Sequence, residues 1–280
     1  MYGATFKPGT RKLLSTAAPP RTWRPFFTAS AIAGFSAAAY TIGSIYPPSA
    51  LTILFPRTAP GPLDPATPES KAYTESLEQT LQTLPLLERL RKQEDADDWY
   101  ESRPYLNYPE ERRVNSLTGG ALKGPGKLAL YPLVRSKKDE TESVIFVHVG
   151  RGLCGHDGII HGGLLATLLD ETLARTAIAN LPEKVGVTAL LTLNYRAPTR
   201  ADQFIVIRTF LQEAKGRKAT VTGRVEALDG TLLVEASATF VQPRYAKLLN
   251  TEALKKAMGE PPHSHTPIHL ADGEKIRPPK

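Results

Sequence analysis

Two adjacent carboxylates, Asp170 and Glu171, follow a His-Gly-Gly triplet, His161-Gly162-Gly163, the first acid standing nine residues after the histidine. Everything between Leu164 and Leu169 is apolar except Thr167, and the pattern reads as one helix over 162–180. Gly162 and Gly163 then sit at the helix start, where amide hydrogens have no partner inside the helix and the dipole favours negative charge. Glycine lets a substrate carbonyl come close to the backbone. Such an end can polarise a carbonyl and hold the oxyanion formed on attack. The same glycines can equally serve only as a tight entry to the helix.

Helical geometry separates the two acids. Asp170 shares its face with Ala166, Leu173, Ala174 and Ala177, a stripe of small and apolar residues. Glu171 shares its face with Thr167 and Arg175, and the Glu171–Arg175 spacing is that of an ordinary solvated ion pair. An acid on an apolar stripe is costly unless nearby donors satisfy it or chemistry uses it. Asp170 is therefore the candidate base or nucleophile.

Gly162 and Asp170 are eight residues apart, about 12 Å along one helix. One tetrahedral carbon cannot touch both. If both act on one carbon, a second protomer supplies one of them. Two such helices packed antiparallel give a homodimer, or a dimer of dimers, with two composite sites.

The elements around this helix are strands. Candidates are Lys127–Arg135 and Ser143–Val149 before it, then Val185–Ala197, Gln203–Glu213, Arg217–Leu228 and Thr231–Val241 after it. They are rich in Val, Ile, Thr, Tyr and Phe, and Lys215-Gly216 and Asp229-Gly230 read as hairpin turns. The expected fold is α+β, an antiparallel sheet wrapped around one long central helix over residues 126–245. Ahead of it, residues 69–125 form a helical and irregular arm. Its leucines 77, 81, 84, 87 and 90 recur at three- and four-residue steps, Pro85 kinks or divides the helix, and 99–109 reads as irregular. Residues 47–68 are a Pro-rich linker, with five prolines between 56 and 68, and 246–280 are a partly disordered tail.

The formal charge of +7 is uneven. Residues 1–63 hold six Lys or Arg and no acid, which leaves only +1 for the rest. A nucleic-acid partner loses its support accordingly. The first 25 residues have the composition of a mitochondrial targeting segment. Phe26–Tyr46 are twenty-one residues without a formal charge. They are long enough for a transmembrane anchor, which points to the mitochondrial inner membrane. A long cleaved leader without an anchor has the same composition. Cys154 is the single cysteine, so neither an internal disulfide nor a multi-Cys metal site exists. His263, His265 and His269 lie in the tail without an anchored fourth ligand, and no metal site is expected.

His161-Gly162-Gly163, Asp170, the run Val187-Thr188-Ala189-Leu190-Leu191-Thr192-Leu193-Asn194-Tyr195 and Arg196-Ala197-Pro198 together resemble the hotdog thioesterases of the phenylacetate-pathway type. The similarity extends to their mitochondrial acyl-CoA thioesterase relatives, and it covers about residues 120–245. It implies a hotdog fold, an acyl-CoA substrate and hydrolysis without a cofactor. It also implies that the Gly162 amide binds the thioester carbonyl, Asp170 is nucleophile or general base, and Thr188 positions the water. His161 is structural or helps to polarise the carbonyl, and Gly163 lies beside the substrate. Many members carry Asn or Gln six residues before the histidine, where this chain has Gly155; His156 or Asp157 are the available substitutes. For the phosphates of coenzyme A, the candidate contacts are Lys215, Arg217 and Lys218 in one turn, and Arg196 with Arg200 in another loop. Two other readings use the same residues: a non-catalytic acyl-CoA-binding or assembly protein, and an enoyl-CoA hydratase with His156 beside the acid.

Overall fold

The computed structural model describes residues 34–42, 61–106, 109–246 and 269–271. The chain divides into two compact units, Met1–Arg57 and Thr58–Lys280. In the first, residues 34–42 are helical with exposed side chains. The proposed targeting segment and most of the proposed span at 26–46 lie outside the described residues. Among the described residues no helix is long and apolar enough to cross a membrane.

The second unit opens with α1 (Pro68–Gln82) and α2 (Pro85–Arg91). Thr67 caps α1 by accepting from the Ser70 amide. Pro85 sits in the first turn of α2, where its missing amide costs nothing. It therefore divides the leucine-rich stretch in two, as the sequence suggests.

Strands β1 (Trp99–Arg103), β2 (Leu133–Lys137) and β3 (Glu142–Val149) come before a small hairpin, β4 (Cys154–His156) and β5 (Ile159–Ile160). The long helix α3 (Gly162–Ala179) follows. Then come β6 (Val187–Tyr195), β7 (Gln203–Lys215), β8 (Lys218–Ala227) and β9 (Leu232–Val241). The main sheet runs β1-β2-β3-β7-β8-β9-β6, all antiparallel, and residues 269–271 (β10) add a parallel strand outside β1. The turns Lys215–Lys218 and Asp229-Gly230 close hairpins as expected, with Gly216 at φ 57° and Gly230 at φ 89°, backbone that favours glycine.

Both faces of the sheet are covered, and side chains alternate between them. Ile145, Val147, Ile205 and Ile207 turn toward α3, where they meet Leu165, Leu169 and Leu173. Val144, Phe146, Phe204 and Val206 turn the other way and are covered by Leu81, Leu84 and Leu87 of the arm. Burying each of those leucines is worth about 1.5–3 kcal/mol. The hotdog arrangement implied by the resemblance is the one the chain adopts.

The arm differs from expectation in one place. Residues 99–103 are a buried strand that extends the sheet, pairing Trp99–Ser102 with Lys137–Val134. Its central residue, Glu101, is held by Arg135 at 2.8 Å and Arg91 at 2.7 Å, with Glu101 and Arg135 both essentially inaccessible to solvent. A charged residue at a buried position hides the alternation that marks a strand. The first strand ahead of the helix also starts later than expected, at Leu133, because 127–132 is irregular chain.

Candidate active site

α3 begins at a histidine. His161 is the N-cap, and its Nδ1 accepts from the Gly163 amide at 2.9 Å. An accepting Nδ1 leaves the ring proton on Nε2. The cap occupies the Gly163 amide, so Gly163 contributes backbone room and not a donor. The Gly162 amide is the first of the helix and has no carbonyl within it to meet. Tyr195, at the end of β6, donates its hydroxyl to the Gly162 carbonyl at 2.8 Å. A Cβ on Gly162 would lie 3.4 Å from that hydroxyl.

Gly155 packs directly under this cap. A Cβ there would come within 3.1 Å of the His161 ring and 3.2 Å of its Cα. Any side chain at this position, the Asn or Gln of the resemblance included, would require His161 to give by a few tenths of an ångström. His156 and Asp157 are exposed in the β4–β5 hairpin.

Asp170 lies two turns farther along α3. It is half-buried, and its Oδ1 accepts from the Thr188 hydroxyl at 2.8 Å. Thr188 stands in β6 beside a register shift against β9 between Thr188 and Leu190. One strand therefore meets both ends of the constellation: Tyr195 at Gly162 and Thr188 at Asp170. Within one protomer the two lie apart along the strand, in keeping with the helical spacing.

Glu171 is not the solvated partner of Arg175 that the i,i+4 spacing suggests. It is largely withdrawn from water and accepts from the Thr118 hydroxyl at 2.7 Å, a donor supplied by the π-helical turn Leu117–Ala121 of the arm. Burial raises its pKa, opposed by the Thr118 bond and reinforced by the Asp170 charge. Arg175 is buried and reaches Ser102 at 3.2 Å and the Tyr100 hydroxyl at 3.5 Å. Covering by the arm replaces solvent on this helix face. Beside Glu171, an apolar cavity of about 290 Å³ opens between the helix (Ala174, Ile178) and the arm (Pro104, Tyr105).

The candidate phosphate contacts divide. Arg196 is paired with Glu235 at 2.7 Å, next to Tyr195. Arg217 donates to the Gln242 carbonyl at 2.9 Å, and Lys215 and Lys218 are exposed in the same turn. Because Lys218 and Val187 both align with Val241, this turn lies at the Thr188 end of β6. Arg196 lies at the other end, roughly 27 Å away at the rise of a strand. One protomer does not bring them together. β6 itself is the edge of the sheet and is exposed along its length, with Leu190 at 60% and Tyr195 at 54%.

Two residues of the site lie outside the sequence-level list. Tyr195 belongs to the motif strand, but nothing in its spacing says that its hydroxyl meets Gly162. Thr118 carries no local signal, since it reaches Glu171 from 53 positions away.

The thioesterase superfamily model matches residues 157–234. UPF0644 protein PB2B4.06 of Schizosaccharomyces pombe is 33% identical over 189 residues, 65% of this chain and 71% of that protein. The uncharacterized mitochondrial membrane protein FMP10 of Saccharomyces cerevisiae is 30% identical over 175 residues, 60% of this chain and 66% of that protein. Acyl-coenzyme A thioesterase THEM4 of Mus musculus is 35% identical over 106 residues, 38% of this chain and 45% of that protein.

Proposed function

Since this chain belongs to the thioesterase superfamily of hotdog proteins, we propose that it hydrolyses acyl-CoA thioesters to a free acid and coenzyme A, in composite sites of a homodimer. The observation that carries this reading is the 2.8 Å bond from Thr188 to Asp170. It fixes a carboxylate on the helix next to an exposed edge strand, where a substrate and a second protomer have access.

In this reading Asp170 takes a proton from water as the water attacks the thioester carbonyl, and Thr188 holds the acid and the water in place. The Gly162 amide of the second protomer holds the oxyanion. Collapse breaks the C–S bond, and the departing thiolate recovers the proton. Direct attack by Asp170, followed by hydrolysis of the anhydride, uses the same residues. The exposed β6 edge, with Val187, Leu190 and Tyr195 open on it, supports pairing with a second copy. Antiparallel pairing there sets the Gly162, Tyr195 and Arg196 end of one protomer against the Asp170, Thr188, Lys215 and Lys218 end of the other. This supports Arg196 and the basic turn meeting one coenzyme A from two chains.

The acid-free leader supports a mitochondrial location, as does the similarity to FMP10, which is named a mitochondrial membrane protein. Anchoring through 26–46 in the inner membrane belongs to the same proposal.

The second reading, a non-catalytic acyl-CoA binder, is favoured by Gly155, where any side chain would press on His161. A hydrolysis panel over short, medium and long acyl-CoAs separates the two. Release of thiol by the wild type and its loss in Asp170→Asn supports the enzyme. Tight binding of acyl-CoA with no thiol release by either protein supports the binder.

A further inference from the structure

On the outer side of the sheet, away from Asp170, α1 and the loop before β2 enclose a groove of about 630 Å³. Its walls include Leu106, Leu130 and Tyr131, and apolar surface dominates. That volume is in the range of sites that hold whole small molecules. Three cations contact Tyr131. Arg103 is paired with Glu78 and donates to the Tyr131 carbonyl, and Arg113 is paired with Glu110 and donates to the Tyr131 hydroxyl. Lys123 stands over the ring face at 4.4 Å and donates to the Ala129 carbonyl, but no carboxylate pairs with it among the described residues. The remaining acid at the groove, Glu75, is exposed at the rim.

Burial and the two neighbouring guanidinium groups bring Lys123 down to about 8, so it is still mostly protonated at neutral pH. A half-buried cation without a counter-charge, set in apolar walls, has one complementary ligand chemistry. The head is a single anion, and the body is an alkyl chain.

We propose that this groove binds a fatty carboxylate, with the head at Lys123 and the chain along Leu106, Leu130 and Tyr131. The reaction proposed above releases a molecule of that class, and only the source of the ligand rests on that reading. The wall is thin and shared: Arg103 and Leu106 line the groove, while Pro104 and Tyr105 between them line the cavity beside Glu171.

The test is photo-crosslinking of the full chain with a dodecanoate carrying a diazirine on its alkyl chain, read by peptide mapping. The expected labels fall on 74–82 and 130–131. Laurate should compete, and dodecanol, which has the same chain and no charge, should not. Lys123→Met keeps the stem and removes the charge, and should weaken laurate about tenfold, the scale of one charge-assisted hydrogen bond. Leu106→Glu, at a position 44% exposed, should weaken it as well without touching Lys123. Labels confined to 162–179, equal competition by dodecanol, or unchanged laurate affinity in both folded variants would each overturn the site. Hydrolysis is assayed separately. A wild type without thioesterase activity that still labels in the groove would remove the proposed source of the ligand and leave the site standing.

Discussion

The Thr188 hydroxyl donates to Asp170 Oδ1 at 2.8 Å, tying the central helix to the edge strand at the acid the proposed chemistry needs. Replacing Asp170 with Asn keeps shape and volume but removes the basic oxygen. The expected loss in kcat is at least ~10²-fold, the scale of a lost general base. Thr188→Ala should lose less, since Asp170 remains. Steady-state hydrolysis of the best acyl-CoA, with folding matched by circular dichroism, checks both. Wild-type rates in Asp170→Asn would sink the mechanism.

Gly162 and Asp170 should act across a dimer interface. Gly162→Pro removes the amide donor at the first helical position, where proline is tolerated. His161 precedes it at φ −60° and ψ 128°, backbone that a following proline accepts. Each variant alone should be inactive. Mixed dimers of Asp170→Asn and Gly162→Pro should recover activity through one intact composite site. Verified heterodimers with no recovery would rule out the shared site.

Glu171 should make the fold pH-dependent. Its folded pKa is raised by burial and by Asp170, so the folded state holds the proton more tightly than the unfolded chain does. The stability this confers is fully present below the unfolded value near 4.5 and is lost as pH rises through the folded pKa. Glu171→Gln keeps an acceptor for Thr118 and never ionises. Relative to wild type its Tm should rise as pH increases above about 4.5. A constant difference from pH 4 to 8 would contradict this.

Glu101 should be the least replaceable acid in the arm. It is the shared partner of Arg91 and the inaccessible Arg135. Glu101→Ala leaves a buried guanidinium without its counter-charge and should cost about 3–5 kcal/mol. Urea unfolding measures it. A loss under 1 kcal/mol would mean that solvent reaches this network.

The leader should govern location and not catalysis. A chain starting at residue 58 keeps the whole second unit. It should be soluble with unchanged kcat, while the full-length protein should remain in mitochondrial membranes after alkaline carbonate. Release of the full-length protein by carbonate would refute the anchor and leave the targeting reading intact.

The sequence by itself determined the central helix, five of the strands to within a few residues of their ends, and both hairpin turns; the strand expected at 127–135 forms only from Leu133. Hydrophobic period and turn chemistry are local, and they agree with the tertiary packing at those places. It also placed Thr188 in the strand that reaches Asp170. The dipeptide of acids shows where local reasoning stops. Glu171–Arg175 has the spacing of a surface pair, yet the arm covers that face, Thr118 takes Glu171, and β1 residues take Arg175. β1 itself was hidden because the charge of Glu101 is balanced by arginines at positions 91 and 135, which local periodicity cannot register. Tyr195 meets Gly162 only because an edge strand runs alongside the helix with its far end at the helix start. Local patterns decide which elements form. Which side chains meet depends on contacts between residues tens of positions apart, and only the folded chain sets those.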